Sequence, residues 1–313
     1  MSFGAAASIL SALSWAAALL LFRAAPASAG ELNLFKNSFS LLCLLLTLPW
    51  IEDARWLWSS EESLRLAISG GLGIGVADTL FLRALQRLGA TGAAIVECTY
   101  PVWVILLSWL LLGETMSGAF IASAGLVLLG VTVAAASPPP PSPSPSASAG
   151  STEEPEEKKI TTEERAQEQL QALGLGLVAM LLMAVGVIVA KPVLDANELC
   201  SVTTARLFWG IVAQSAWLLL SSQYGVFQVL RPQRRWRGLA PPAFLGTYVA
   251  MLLWLAGMKY APLSLSTILS QLAPIFTLIL ARFVFLEPLN RARIFGVLCA
   301  SAGTISALFS SGG

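Results

Sequence analysis

The sequence predicts an all-α membrane protein of ten transmembrane helices, arranged as two inverted five-helix repeats. Three observations carry that prediction. Apolar residues fill 56% of the 313 positions and charged residues only 12%, about half the charged share of a soluble domain. The apolar sequence falls into runs of the roughly 20 residues a helix needs to cross a bilayer. Parts of the second half of the chain also repeat the first at a fixed offset.

The runs are, in order, 3–22, 32–50, 65–87, 90–112, 116–136, 171–191, 198–221, 239–259, 262–285 and 289–309. Helix is the expected form, because an isolated span in lipid must satisfy its own backbone hydrogen bonds, and the runs are too long for barrel strands. The second run is the most polar, with Glu31, Asn33, Lys36 and Asn37 in its first half. No basic segment precedes the first run, so a cleaved signal peptide is not expected despite the small residues Ala27, Ser28 and Ala29.

Ten of the 37 charged residues lie in one Pro/Ser/Glu-rich stretch, 137–170, which divides the chain. Such a segment has too little apolar surface to pack, so a disordered linker is expected there, with a short helix over Thr161–Ala172. The expected domains are therefore 1–136, the linker 137–170, and 171–313. Sliding the first domain by 173 residues puts Pro101 on Pro274, Glu114 on Glu287, Ile95 on Ile268, Leu107 on Leu280 and Gly130 on Gly303. In each copy an apolar run carries a proline and reaches a glutamate thirteen residues later. Five spans is an odd number, so two such units in tandem enter the membrane from opposite sides. Inverted repeats of this kind are the architecture of alternating-access carriers, with the binding site near the midplane.

Composition excludes other classes. So apolar a chain exceeds what a soluble core of this length hides. A net charge of +1 leaves no basic footprint for nucleic acid. With no His, the commonest general base and metal ligand is missing. Cys43, Cys98, Cys200 and Cys299 lie in apolar runs without CxxC spacing, so no metal site or disulfide framework is indicated. The glycines Gly70, Gly71, Gly73 and Gly75 suit close helix packing, and no GxxxxGK[ST] phosphate loop is present.

Glu97-Cys-Thr-Tyr-Pro101, with Gly113-Glu114, and Gln271-Leu-Ala-Pro274, with Leu286-Glu287, are each followed by a helix punctuated by glycine (Gly118, Gly125, Gly130; Gly296, Gly303). With these motifs, and single basic residues early in spans two and seven, the chain resembles the drug/metabolite transporter superfamily, specifically its ten-helix EamA-type carriers. The resemblance implies a secondary carrier of a small metabolite, such as an amino acid or related compound. It implies export, no cofactor and no ATPase domain. A sugar-phosphate or nucleotide-sugar antiporter is the related alternative, and a membrane scaffold or sensor on the same fold also stays open. An intramembrane enzyme is a weaker option, since nothing supplies a nucleophile or metal. The expected setting is a multi-pass protein of the bacterial inner membrane, its partners being the bilayer, a small-molecule substrate and protons; the sequence leaves the oligomeric state open.

Ionisable residues within spans are costly, so they usually face a cavity or a partner. Asp78 and Glu97 flank the turn near Leu88–Gly89 and share a depth of about 12–15 Å below it. Lys36 enters from the same side, so a Lys36–Asp78–Glu97 cluster is expected either as a substrate or proton site or as a structural ion pair. The repeat places Met251 and Ser270 opposite the two acids, so the acidic pair exists in one half only. Arg206 is a candidate for gripping an anionic group, Gln271 for hydrogen bonding, and Trp15 and Tyr100 for cavity walls. Pro101 and Pro274 are expected hinges. Glu114 and Glu287 are expected to be structural, closing turns into the following helices.

Loop charge opposes the resemblance on orientation. Loops on the side of the N-terminus hold four basic residues and those on the other side eleven, including Arg231, Arg234, Arg235 and Arg237. Positive charge marks the cytoplasmic side, so the loops favour an outside N-terminus, whereas the resemblance implies that both ends are inside.

Overall fold

The computed structural model describes residues 3–51, 54–55, 57–112, 118–135, 162–232, 234–260, 269–270, 272–284 and 291–311. Among them every extended element is helical. In the first half, α1 is Phe3–Ala24, α2 Ala29–Thr47, α3 Ser60–Ser69, α4 Asp78–Glu97, α5 Tyr100–Leu112 and α6 Gly118–Ala135. In the second, α7 is Thr162–Ala196, α8 Leu199–Leu220, α9 Trp236–Pro242, α10 Ala250–Tyr260, α11 Leu272–Val284 and α12 Arg291–Ser311. Four helical stretches among the described residues are long and apolar enough to cross a membrane: Phe3–Ala24, Ala29–Trp50, Ser60–Glu97 and Gln167–Ala196.

Large apolar side chains line the outside, among them Leu46, Trp217, Phe283 and Leu298. Contiguous apolar surface of this kind suits lipid rather than water. The main core draws on both halves, with Leu19, Phe22, Phe35, Ile95 and Val96 packed together with Ala179, Met180 and Leu239.

Local sequence explains the element ends. Ser28 and Ser59 cap α2 and α3 with reciprocal capping boxes, Ser28 with Glu31 and Ser59 with Glu62. Both follow the S-x-x-E pattern that satisfies two orphan amides at once. The α3 box starts that helix at Ser60, earlier than the apolar run suggests. At the expected turn, Gly89 breaks the helical course with φ 78°, a conformation glycine adopts without a Cβ penalty. The expected short helix at Thr161–Ala172 is instead the first turns of α7, which runs unbroken to Ala196.

Two stretches are wound as π-helix: Gly70–Ala77, between α3 and α4, and Ala243–Val249, between α9 and α10. The 173-residue offset superimposes one on the other. The duplication therefore reaches backbone winding where side-chain identity is almost gone.

The halves interlock reciprocally. Helix α8 packs on the first π segment, and its counterpart α2 packs on the second. Likewise α7 lies against α4 and the first π segment, while α1 lies against α10 and the second. Equivalent helices α6 and α12 pair with each other. Small residues permit these approaches. A Cβ on Gly70 would stand 2.2 Å from the Arg206 carbonyl oxygen, and one on Gly210 would stand 3.0 Å from the Gly70 oxygen. At the equivalent glycines, a Cβ on Gly73 faces Gly186 of α7 at 3.6 Å, and one on Gly246 would press Ala18 and Phe22 of α1 at 2.8 Å.

A polar grip joins the halves beyond each end of α2. At one end the Arg55 guanidinium donates to Glu62 (3.0 Å) and to the Asn197 amide oxygen, and the Arg55 backbone N–H donates to Ser201 Oγ (2.9 Å). The Glu198 carboxylate accepts the backbone N–H groups of Cys200 and Ser201, capping α8 there. At the other end Arg235 donates to the Pro26 carbonyl at 2.8 Å and to Glu31 at 3.3 Å. Glu62 and Arg235 are repeat-equivalent positions.

Candidate functional site

Polar side chains converge between the halves. Lys36 is buried on α2 and bonds Asp78 Oδ2 at 2.6 Å and Asn37 Oδ1 at 2.9 Å. Asp78 is the first residue after the first π segment, so that winding sets its direction. Lys36, expected to enter from the same side as Asp78, meets it in a direct ion pair.

Glu97 does not join it. Its Oε1 accepts the Trp15 indole N–H at 2.7 Å, while its Oε2 is buried without a hydrogen-bond partner. No hydrogen bond or ion pair links Glu97 to Lys36 or Asp78 among the described residues. The expected three-residue cluster is therefore two separate pairs, Lys36–Asp78 and Trp15–Glu97. The reason is reach: the Lys36 ammonium is held by two oxygen acceptors, and Trp15 on α1 lies against α4. Trp15 is held in turn by Phe81 (6.5 Å, stacked) and Phe22 (6.4 Å, edge-on).

Pro101 explains why the backbone opens here. It is the second residue of α5, and a two-residue turn at Cys98–Thr99 separates α5 from α4. Residue 101 would be the helical donor to the Glu97 carbonyl, and proline has no N–H. The expected mid-span proline therefore sits at a helix break, four residues after Glu97. Pro274 is buried as the third residue of α11, in the equivalent place.

On α8, Arg206 donates from Nε to Ser69 Oγ at 2.9 Å. It lies within electrostatic range of Asp78 and Tyr100. Tyr100 packs half-buried against the main core. Gln271, Glu114 and Glu287 lie outside the described residues.

Two residues absent from the sequence-derived candidates, Asn33 and Asn37, prove central, together with Gln214, which the sequence offers beside Gln271 as a hydrogen-bonding residue between helices. Asn33 Nδ2 faces four acceptors, namely the carbonyls of Ile74 (2.9 Å) and Gly75 (3.1 Å), Thr79 Oγ1 (2.9 Å) and Gln214 Oε1 (3.1 Å). Asn37 donates to Asn33 Oδ1 at 2.9 Å. Gln214, from the other half, donates to the Gly30 carbonyl at 2.9 Å. A polar chain thus runs Gln214–Asn33–Asn37–Lys36–Asp78 across the interface. Its sequence signal was present in the polar first half of α2, read there as a weak span. Among the described residues no group of three or more His, Cys, Asp or Glu side chains is placed to hold a metal ion.

The fold and these buried charges define a helical, multi-pass membrane protein built by duplication, with ionisable side chains held between its halves. The chain belongs to the EamA-like transporter family, whose model matches residues 2–136 and 170–309. The two matches coincide with the two halves, and the family is one of membrane transporters rather than enzymes. No curated protein matches the chain. A solved structure described as a crystal structure of a protein is similar in fold, with TM-score 0.60 at 15% identity, covering 97% of this chain and 96% of that one.

Proposed function

We propose that this transporter is a secondary carrier that moves a small metabolite by alternating access, its halves an inverted five-helix repeat of ten spans. The observation that carries the reading is the unbalanced Glu97. Burial of a carboxylate costs free energy unless a cation or a proton balances it. One oxygen has only the Trp15 N–H, the other has no partner, and the ammonium of Lys36 is engaged by Asp78. A coupling proton, or a cationic group of the substrate, supplies what Glu97 lacks. Arg206 on the opposite half offers a guanidinium fork to a carboxylate, so an amino acid or related compound is the substrate class proposed, with export as the direction the family resemblance implies.

Reciprocal packing supports the same reading. Each half grips the other through equivalent helices, an arrangement that supports two related states of similar energy, one open to each side. The grips at Arg55 and Arg235 lie at opposite ends of α2, and each opening requires one of them to part.

Flux into proteoliposomes tests this, with and without a pH gradient, against separate pools of amino acids, sugar phosphates and cationic drugs. The expected outcome is gradient-dependent flux of the amino-acid pool, abolished in Glu97→Gln while the protein remains folded in the membrane. Unchanged flux in Glu97→Gln removes Glu97 from the mechanism. Zero flux in every pool overturns the carrier reading in favour of a scaffold.

A further inference from the structure

The first π segment poses a physical problem that Asn33 solves. A π turn bonds i to i+5 and an α turn i to i+4, so where one gives way to the other a carbonyl is skipped by the backbone ladder. In lipid such a group needs a partner. The change occurs at Ala77–Asp78. The Asn33 amide is aimed at the carbonyls of Ile74 and Gly75, one turn before the change, and the Thr79 hydroxyl helps by donating to Gly75 at 2.8 Å.

Asn33 Nδ2 has two hydrogens and four acceptors within 3.1 Å. Two of the acceptors are carbonyls of the π segment, the third is Thr79 two residues beyond it, and the fourth is Gln214 of the other half. The amide therefore partitions its donors between the winding of its own half and the contact with the other. Its repeat-equivalent residue is Arg206, which reaches Ser69 Oγ at the opposite end of the same segment. Two residues at one repeat position, one from each half, thus hold both ends of the first π segment. The second π segment is met by serine hydroxyls instead, Ser40 to the Ala243 carbonyl at 3.3 Å and Ser11 to the Ala250 carbonyl at 2.7 Å.

We propose that Asn33 is a positioning residue: its amide fixes the π winding of Gly70–Ala77, which sets Asp78 on Lys36, and ties that winding to Gln214 of the opposite half. Rewinding the segment as α removes one residue from the turn and rotates the helix beyond it by about 100°, carrying Asp78 away from Lys36. Motion between the halves thereby reaches the ion pair through one side chain. The functional consequence rests on the carrier reading, but the geometry does not.

The test has two independent readouts. In a background with all four cysteines changed to serine, Lys36→Cys/Asp78→Cys is treated with a short bis-methanethiosulfonate and the cross-linking rate is measured. Asn33→Leu keeps the side-chain size and removes both donors, and Asn33→Gln keeps the donors. Asn33→Leu is expected to slow cross-linking at least tenfold, the effect of leaving one buried carbonyl unpaired, while Asn33→Gln stays within threefold of the parent. In the otherwise native chain, flux of a pooled radiolabelled amino-acid mixture is expected to lose at least tenfold in maximal rate for Asn33→Leu, with half-saturation within threefold. Gln214→Leu is expected to lower the maximal rate but not the cross-linking rate.

Cross-linking of Asn33→Leu within twofold of the parent overturns the proposal. So does a raised half-saturation at unchanged maximal rate, which would make Asn33 a binding residue. If Asn33→Leu is not recovered folded, Gln214→Leu decides, because an unchanged maximal rate there refutes the tie between halves. Zero flux of the wild type in every pool, with cross-linking lost as expected, defeats the carrier reading and leaves the positioning role standing.

Discussion

Replacing Gly70 by alanine tests whether the halves touch as closely as the structure places them. The new Cβ would stand 2.2 Å from the Arg206 carbonyl oxygen, 3.1 Å from the Arg206 carbonyl carbon and 3.0 Å from the Gly210 nitrogen. All three are backbone atoms of α8, so no side-chain rotation relieves them. Reaching even the 3.0 Å floor of real Cβ contacts requires α8 to retreat by at least about 0.8 Å. Overpacking of this kind costs about 1–3 kcal/mol, and the obstacle is rigid, so the upper end applies. Alanine returns about 1 kcal/mol of helix propensity. The net expectation is a loss of about 2 kcal/mol. Two controls bracket it. In Gly71→Ala the Cβ meets only the Ala213 Cβ at 3.3 Å, and in Gly174→Ala it meets nothing within 4 Å. The assay is the thermal midpoint in detergent micelles, followed by tryptophan fluorescence and by the monodisperse fraction on size exclusion. Gly70→Ala should melt well below both controls, and Gly174→Ala should equal or exceed the wild type. A Gly70→Ala midpoint level with that of Gly71→Ala would refute the close approach of α8 to the π segment.

Lys36→Met should destabilise the protein by about 2–3 kcal/mol, because it strands the Asp78 carboxylate, while Lys36→Met/Asp78→Leu should recover most of that loss; equal losses in the single and double variants would mean that the pair is not coupled. Arg55→Ala and Arg235→Ala should each cost about 1 kcal/mol or less, as expected of half-exposed polar ties. Their effects should add in the double variant, since the two grips lie at opposite ends of α2 with no shared partner; marked non-additivity in the melting midpoints would contradict that separation.

Much of the fold was legible in the chain because membranes impose simple rules. Spans announce themselves by length and apolarity, and Gly89 and Pro101 mark breaks through local backbone chemistry. The Lys36–Asp78 pair was also within reach, since both depths follow from counting residues at a fixed rise. The Trp15–Glu97 bond was not, because counting gives depth along a helix but not which helices are neighbours. Asn33 and Asn37 escaped as individual candidates, and the partners of Gln214 could not be named, for the same reason. A neutral amide in an apolar run has no distinctive signal until its acceptors are known, and those of Asn33 and Gln214 lie on other elements, some in the other half. The π segments left no trace either, since one extra residue per turn changes no composition.

By itself the sequence determined that this protein lives in a membrane, that it is helical, and that it is built twice over. Those properties depend on averages and on covalent backbone constraints, which any stretch of chain carries with it. The tertiary structure alone decided how the copies engage, with α8 on the first π segment, α2 on the second, and Asp78 turned onto Lys36 while Glu97 is left to Trp15. These outcomes depend on contacts between residues far apart in the chain, 203 positions for Ser40 and Ala243. The fit between the missing Cβ of Gly70 and one carbonyl of α8 is a property of two surfaces together, and neither segment encodes it alone.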